Sequence, residues 1–218
     1  MKTIGIIGGF GPEATAQFYL RLLARRRTHV IMRHVVVPRT LEENALVHGK
    51  NLDAFVPLLQ EAARDLEQRG ADIIVLPCNT LHVHEKAIRA AITVPFVSII
   101  ASTVHVLNEK NISEIGLLGS RVTIKENLFH KQTSRISFVC VPDVLQKKID
   151  QGLDHFVSTQ NGSHLRKALT HAFTFFQQKN IRNVLLACTD FDTVRPKTST
   201  LRVFDTLDIL VSATVDML

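Results

Sequence analysis

The sequence contains an internal repeat, and that constrains the fold more than anything else in it. Ile4-Gly5-Ile6-Ile7-Gly8 returns 111 residues later as Ile115-Gly116-Leu117-Leu118-Gly119. Ile73-Ile74-Val75-Leu76-Pro77-Cys78 returns 110 residues later as Asn183-Val184-Leu185-Leu186-Ala187-Cys188. Ahead of each cysteine run lies a stripe with helical spacing. Phe55, Leu58, Leu59, Ala62, Ala63 and Leu66 match Leu165, Ala168, Leu169, Ala172, Phe173 and Phe176 at the same offset. The stripes stop at Gly70 and Asn180, the residue types that best tolerate the left-handed backbone just beyond a helix. Two anchors with nearly equal offsets in a chain of 218 residues imply two similar halves.

Within each half, short β-branched runs bounded by Gly or Pro alternate with segments of 3.6-residue period, the pattern of parallel βαβ units. The runs predict strands at Thr3–Ile7, Val35–Pro38, Ile73–Leu76, Phe96–Ser98, Glu114–Leu118, Ile136–Val141, Asn183–Ala187 and Leu201–Phe204. Helices are predicted in most gaps, including Pro12–Arg27, Leu52–Arg69, Leu81–Ala91, Ser98–Lys110, His164–Lys179 and Asp205–Met217. The expected architecture is α/β, with two pseudo-symmetric domains. Each is a mainly parallel sheet flanked by helices, and the active site lies in the cleft between them. The first domain takes residues 1–98 and is joined by the C-terminal helix, 206–218; the second takes 99–205.

At 45% hydrophobic and 21% charged, the chain can bury a sizeable core. A net charge of +6 suits a nucleic-acid binder or an enzyme of small anions equally well. The basic residues are scattered, however, and the one tight run, Arg25-Arg26-Arg27, closes a predicted helix without aromatic interleaving. Nucleic acid is therefore not an expected partner. No apolar stretch approaches the ~18 residues of a membrane span, and the apolar run in MKTIGIIGG is too short for an export signal. Three cysteines make no disulfide framework. The expectation is a cytoplasmic protein with reduced thiols.

Ligands of open α/β sheets bind beyond the carboxyl ends of the strands. Cys78 and Cys188 lie at such ends, at equivalent points of the two halves. Small polar residues follow each, Asn79-Thr80 and Thr189-Asp190, able to hold an anion. Two thiols facing one cleft from opposite sides suit the inversion of a carbon centre, where one group removes a proton and the other returns it on the far face. A thiol with pKa ~8.5 is only a few per cent thiolate at neutral pH, so the base needs positive charge or hydrogen bonds nearby. Cys140 has no counterpart in the other half and is assigned to packing.

Zinc is the rival use of these groups, through Cys78, His82, His84 and Cys188. Cys-x3-His-x-His is not a common zinc spacing, so no metal is expected, and His82 is read as a hydrogen-bonding or helix-capping residue near the pocket. Gly9-Phe10-Gly11-Pro12-Glu13-Ala14 formally fits the dinucleotide fingerprint, but no ribose-binding acid follows; Arg39 stands instead near the next strand end. An NADP-dependent enzyme is the more distant reading. The better one is a tight turn at Gly11 that brings backbone N–H groups to a small anion, with Arg39 holding a carboxylate through its fork. Ser120 and Thr123 occupy the equivalent turn of the second half, and their hydroxyls serve the same ligand.

GGFGPEAT, PCNT with the following His82, GLLGS with Thr123, and ACTD together resemble the motifs of the aspartate/glutamate racemase superfamily, and the opening resembles its aspartate racemase branch. The resemblance runs over essentially the whole chain. It implies a racemase that needs no pyridoxal phosphate or other cofactor, usually dimeric, acting on an amino acid. Cys78 and Cys188 would be the acid–base pair. Asn79, Thr80, Thr189, Ser120 and Thr123 would cradle the α-carboxylate or ammonium, and Arg39 would meet the side-chain carboxylate of aspartate or glutamate. The chain departs from the pattern at Asp190, where Glu or His is usual, and at Val122, where Gly is common. It departs again at Ser158, roughly where some aspartate racemases place a substrate-binding lysine. These departures bear on the substrate and keep a second reading open, a non-catalytic or regulatory amino-acid-binding protein.

Overall fold

A computed structural model describes residues 1–42, 44–45, 49–197 and 200–218. The chain builds two four-stranded parallel sheets. The first contains β1 (Thr3–Gly8), β2 (His29–His34), β3 (Ile73–Val75) and β4 (Phe96–Val97) in the order β2-β1-β3-β4. The second contains β5 (Glu114–Gly119), β6 (Ser137–Cys140), β7 (Asn183–Ala187) and β8 (Arg202–Asp205) in the order β6-β5-β7-β8. The repeat seen in the sequence is therefore a repeat of topology.

Helices cover both faces of each sheet. The first half carries α1 (Pro12–Arg25), α2 (Arg39–Glu42), α3 (Phe55–Gln68), α4 (Glu85–Arg89) and α5 (Ile99–Glu109). The second carries α6 (Arg121–Lys125), α7 (Asp143–Thr159), α8 (Ser163–Gln178), α9 (Phe191–Val194) and α10 (Thr206–Val215). The chain beyond α3 and α8 turns through left-handed Gly70 and Asn180, as their residue types predict. Ser98 and Asp205 cap α5 and α10, each accepting a backbone N–H through its side chain.

One buried cluster joins the halves. Ile4, Ile6, Phe18, Val75 and Val104 of the first pack with Ile115, Leu117, Leu185, Leu207 and Leu210 of the second. Helix α10 packs against α1 and α5, and Arg25 of α1 pairs with Asp208 of α10 at 2.5 Å. The outer face of each sheet has its own cluster, beneath α3 in one half and α7–α8 in the other. Sheets covered on both faces explain why the central strands read as unbroken apolar runs. No helix among the described residues is long and apolar enough to cross a membrane.

The second strand is a correction: it lies at His29–His34, not Val35–Pro38. It is a half-exposed edge strand, with apolar Val30-Ile31-Met32 flanked by polar His29, Arg33 and His34, and it pairs with the whole of β1, from Thr3↔His29 to Gly8↔His34. The β-branched run begins where β1 ends. Val35 donates its N–H to the Gly8 carbonyl at 2.9 Å and packs under the turn that follows β1. A Cβ on Gly9 (φ +103°) would lie 2.3 Å from the Val35 carbonyl oxygen, so only glycine fits there. The helix predicted at Leu81–Ala91 is split into a 3-10 turn at Thr80–His84 and the short α4.

Candidate active site

The order β2-β1-β3-β4 reverses direction between β1 and β3, and the second sheet does so between β5 and β7. At such a switch point the outgoing loops diverge and leave a crevice beyond the strand ends. The chain leaves β1 through Gly9–Gly11 into α1, and passes beyond β3 to Cys78-Asn79-Thr80. It leaves β5 through Ser120, and passes beyond β7 to Cys188-Thr189-Asp190. The two crevices meet in one cavity of about 260 Å³, lined by Gly11, Cys78, Asn79, Thr80, Ser120, Cys188, Thr189 and Asp190 among others. Eight of the sequence-nominated residues are thus brought together from four loops. The volume is just below the ~300–1,000 Å³ of sites for drug-sized ligands and suits a smaller molecule.

Both thiols are buried, Cys78 at 6% exposure and Cys188 at 9%. All three cysteines are thiols rather than disulfides. Asp190 interacts directly with Cys188, its Oδ2 lying 3.9 Å from Sγ. Burial pushes the Cys188 thiol well above its ordinary range, and the Asp190 carboxylate adds to the effect by repulsion. The Asp190 backbone N–H works the other way, because it can hydrogen-bond to a thiolate. A Cβ on Gly11 (φ +81°) would sit 3.7 Å from Asp190 Oδ1, which shows how closely the start of α1 approaches the Cys188 loop across the cavity.

The Cys78 loop is held differently. The Ile99 N–H donates to His82 Nε2 at 3.1 Å, which places the ring proton on Nδ1, and Nδ1 donates to the Cys78 carbonyl at 2.7 Å. Buried on all sides, the ring stays neutral, its pKa lowered to about 4 by loss of solvation. His82 is therefore a brace between the Cys78 loop and α5, not a lining residue. His84 turns away and donates Nε2 to the Leu52 carbonyl at 2.9 Å. Asn79 donates Nδ2 to Thr206 Oγ1 at 2.9 Å, and Thr206 donates to the Leu186 carbonyl at 3.0 Å, tying the loop to β7. Asn79 Oδ1 is buried beside the cavity without a hydrogen-bond partner, an acceptor suited to an ammonium group.

Hydroxyls link the halves. Thr80 Oγ1 lies 2.9 Å from Ser120 Oγ, and Ser120 Oγ lies 3.1 Å from Thr123 Oγ1 and accepts the Thr123 N–H at 3.2 Å. Thr123 is fully buried behind Ser120 and outside the cavity lining, so it orients a neighbour instead of reaching a ligand. Arg39 opens α2, and its side chain lies outside the described residues. Cys140 is half-buried and packs against the shared core, in keeping with its assignment to packing.

The sequence did not single out Phe10, Glu13, Val37, Leu153, Phe156, Val157 or Gln160, all of which line the cavity. Four of the seven lie on α7 or just after it. That helix corresponds by offset to the stretch around α2 in the first half, so the repeat could not reveal it, and Gly152 interrupts its stripe. The glycine lets α8 pass close by, since a Cβ there would lie 2.7 Å from the Leu165 Cα. Ser158 is exposed, whereas its neighbour Val157 faces the cavity.

A sequence profile of the Asp/Glu/Hydantoin racemase family matches residues 7–214. A curated relative, the broad specificity amino-acid racemase RacX of Bacillus subtilis, is 27% identical over 134 residues. That match covers 59% of this chain and 59% of the relative, so the chain spans less than two thirds of that protein. Among solved structures, the Picrophilus torridus aspartate racemase superposes with a TM-score of 0.83 at 22% identity, covering 100% of this chain and 94% of that one. PH1733, an aspartate racemase homologue from Pyrococcus horikoshii, gives 0.78 at 20% identity, covering 100% and 99%. At these identities the structural likeness speaks for the fold.

Proposed function

The chain belongs to the Asp/Glu/Hydantoin racemase family, and from that premise we propose that it is a cofactor-independent amino-acid racemase in which Cys78 and Cys188 form the acid–base pair. The observation that carries this reading is the pair of thiols at equivalent strand ends lining one cavity of amino-acid size. One thiolate takes the α-proton from its face of the substrate, leaving the electron pair on a carbanion delocalised into the α-carboxylate. The opposite thiol gives its proton to the other face and becomes the thiolate, so no net proton or electron is gained. In the reverse direction the roles exchange.

Substrate binding supplies what the resting site lacks. With its carboxylate charge beside Cys188, Asp190 opposes formation of the thiolate there. An α-ammonium group held between Asp190 and the unpaired Asn79 Oδ1 offsets that charge and acidifies the α-proton. The hydroxyls of Thr80, Ser120 and Thr189 offer donors to the α-carboxylate, where charge develops in the carbanion. The same reading makes the enzyme a homodimer of the cytoplasm, as the resemblance and the reduced thiols imply. Light scattering on the purified protein checks the first of these.

The test is α-hydrogen exchange. Incubated in deuterated water with a panel of L-amino acids and no pyridoxal phosphate, the protein is expected to exchange the α-hydrogen of at least one and to form its D-enantiomer. Folded protein that exchanges none would be a binding protein instead.

A further inference from the structure

Charges and apolar groups are not evenly distributed around the cavity. Its charged lining residues, among those described, are Asp190 and Glu13, both acidic. The apolar lining is made by Leu153, Phe156 and Val157 of α7, with Phe10 and Val37 from the first half. Leu153 and Phe156 are 4% and 7% exposed and belong to the outer core of the second sheet, so the wall is rigid. Glu13, Phe156 and Gln160 also border an adjoining groove of about 890 Å³ between α1 and the start of α8, whose own lining includes Arg166 and Lys167. With the α-carboxylate and ammonium at the cysteine loops, as the racemase reading has them, the apolar surface left for a substrate side chain includes the α7 residues.

We infer that the side-chain subsite formed by Leu153, Phe156 and Val157 selects an uncharged aliphatic amino acid and disfavours aspartate and glutamate. This inference rests on the racemase reading and deepens it. A second carboxylate would have to give up its hydration against apolar atoms, in a cavity that already carries two carboxylates and whose described lining offers no cation. An aliphatic side chain gains burial there, at about 10- to 200-fold in kcat/KM for each methylene the wall encloses. The acidic substrate expected from the sequence rested on the family resemblance and on Arg39, and Ser158, roughly where some aspartate racemases place a lysine, already weighed against it. On α7 the residue that faces the cavity is Val157.

The experiment is a comparison of kcat/KM for leucine, methionine, alanine, aspartate and glutamate. Leucine or methionine is expected to exceed both acids by at least tenfold. A preference for aspartate or glutamate would overturn the inference, bring the Arg39 guanidinium into the cavity, and leave the racemase reading standing. Calorimetry with the Cys78→Ser/Cys188→Ser double variant separates the two ideas further, because binding of leucine over aspartate needs no turnover. Equal or tighter aspartate binding would again overturn the inference. In the active protein, Val157→Lys is expected to lower the leucine-to-aspartate ratio at least tenfold. Val157→Thr, which keeps the shape, is expected to lower the leucine-to-alanine ratio. If neither substitution moves these ratios, the α7 wall does not read the side chain.

Discussion

The loops that carry Cys78 and Cys188 leave equivalent strands of equivalent sheets, but different chemistry holds each in place. Behind Cys78 sits a neutral, fully buried imidazole that braces the loop against α5 through two hydrogen bonds. Behind Cys188 the loop is acidic. Asp190 lies beside the sulfur, and Asp192 is paired at 2.7 Å with Arg21 of α1, which also holds Asp205 at 2.7 Å. Asp205 lies close to Asp192 in this cluster, and burial and that neighbour raise its carboxyl to about 6 against the pull of Arg21. Backbone pseudo-symmetry therefore puts two thiols on one cavity, while the local charges give them unequal surroundings. A two-base enzyme needs groups that can exchange roles, but nothing requires them to rest in the same protonation state.

The sharpest way to break this comparison is to remove each thiol in turn. Cys78→Ser and Cys188→Ser are each expected to lower racemisation by about 10²- to 10⁴-fold, the usual contribution of a general acid or base. Each single variant is expected to retain α-hydrogen exchange for one enantiomer only, and the two variants for opposite enantiomers. Chiral chromatography and proton NMR in deuterated water measure both. If either cysteine is replaceable with little loss, the two-thiol mechanism fails.

Stability should separate the braces next. His82→Leu strands the Ile99 N–H and the Cys78 carbonyl, at a cost of roughly 2–4 kcal/mol in denaturant unfolding. The pH dependence carries a second signature. In the folded protein His82 resists protonation down to about 4, below its ordinary 6.5, so its contribution is lost as pH falls from 6.5 toward 4. Asp205 runs the other way. With its carboxyl raised from 3.8 to about 6, the stability it contributes is present in acid and lost as pH rises through 6. Each amounts to at most about 3 kcal/mol, and they oppose over the same interval. Asp205→Asn, which keeps the cap of α10, should expose the His82 slope, and His82→Leu should expose the Asp205 slope. Identical pH profiles in the two variants would mean that neither group titrates as its burial demands.

A smaller effect tests the electrostatics at Cys188 directly. Asp190→Asn removes the repelling carboxylate, so the pH midpoint for alkylation of Cys188 by iodoacetamide should move down, and that of Cys78 should move less. An upward shift at Cys188 would show that Asp190 assists the thiolate. The smallest effect belongs to Cys140, where Cys140→Ser should cost about 1 kcal/mol of stability and leave the stereochemical course unchanged.

Much of this was legible in the sequence because repeats and periodicity are local properties. The offset of 110–111 residues foretold two matching sheets, and the position of Cys78 and Cys188 past the strand ends foretold the crevice in which both lie. Strand β2 was misread because its short apolar run, Val30-Ile31-Met32, is only half-buried at the sheet edge between polar His29, Arg33 and His34, whereas Val35 just beyond it is buried under a turn. Helix α7 escaped because the repeat omits it and because Gly152 serves a helix crossing, not a local preference.

What the sequence determined by itself, then, was the pair of halves, their parallel sheets and the nucleophilic residue types at the strand ends, since each follows from spacing along the chain. Only the tertiary structure decided that His82 is a brace and Thr123 a support, that Asp190 lies against Cys188, and that α7 walls the cavity with Leu153, Phe156 and Val157. Those assignments depend on which groups lose their water and which charges come within a few ångströms of one another. Desolvation and proximity are set by the packing of the two halves and are not encoded at any single position of the chain.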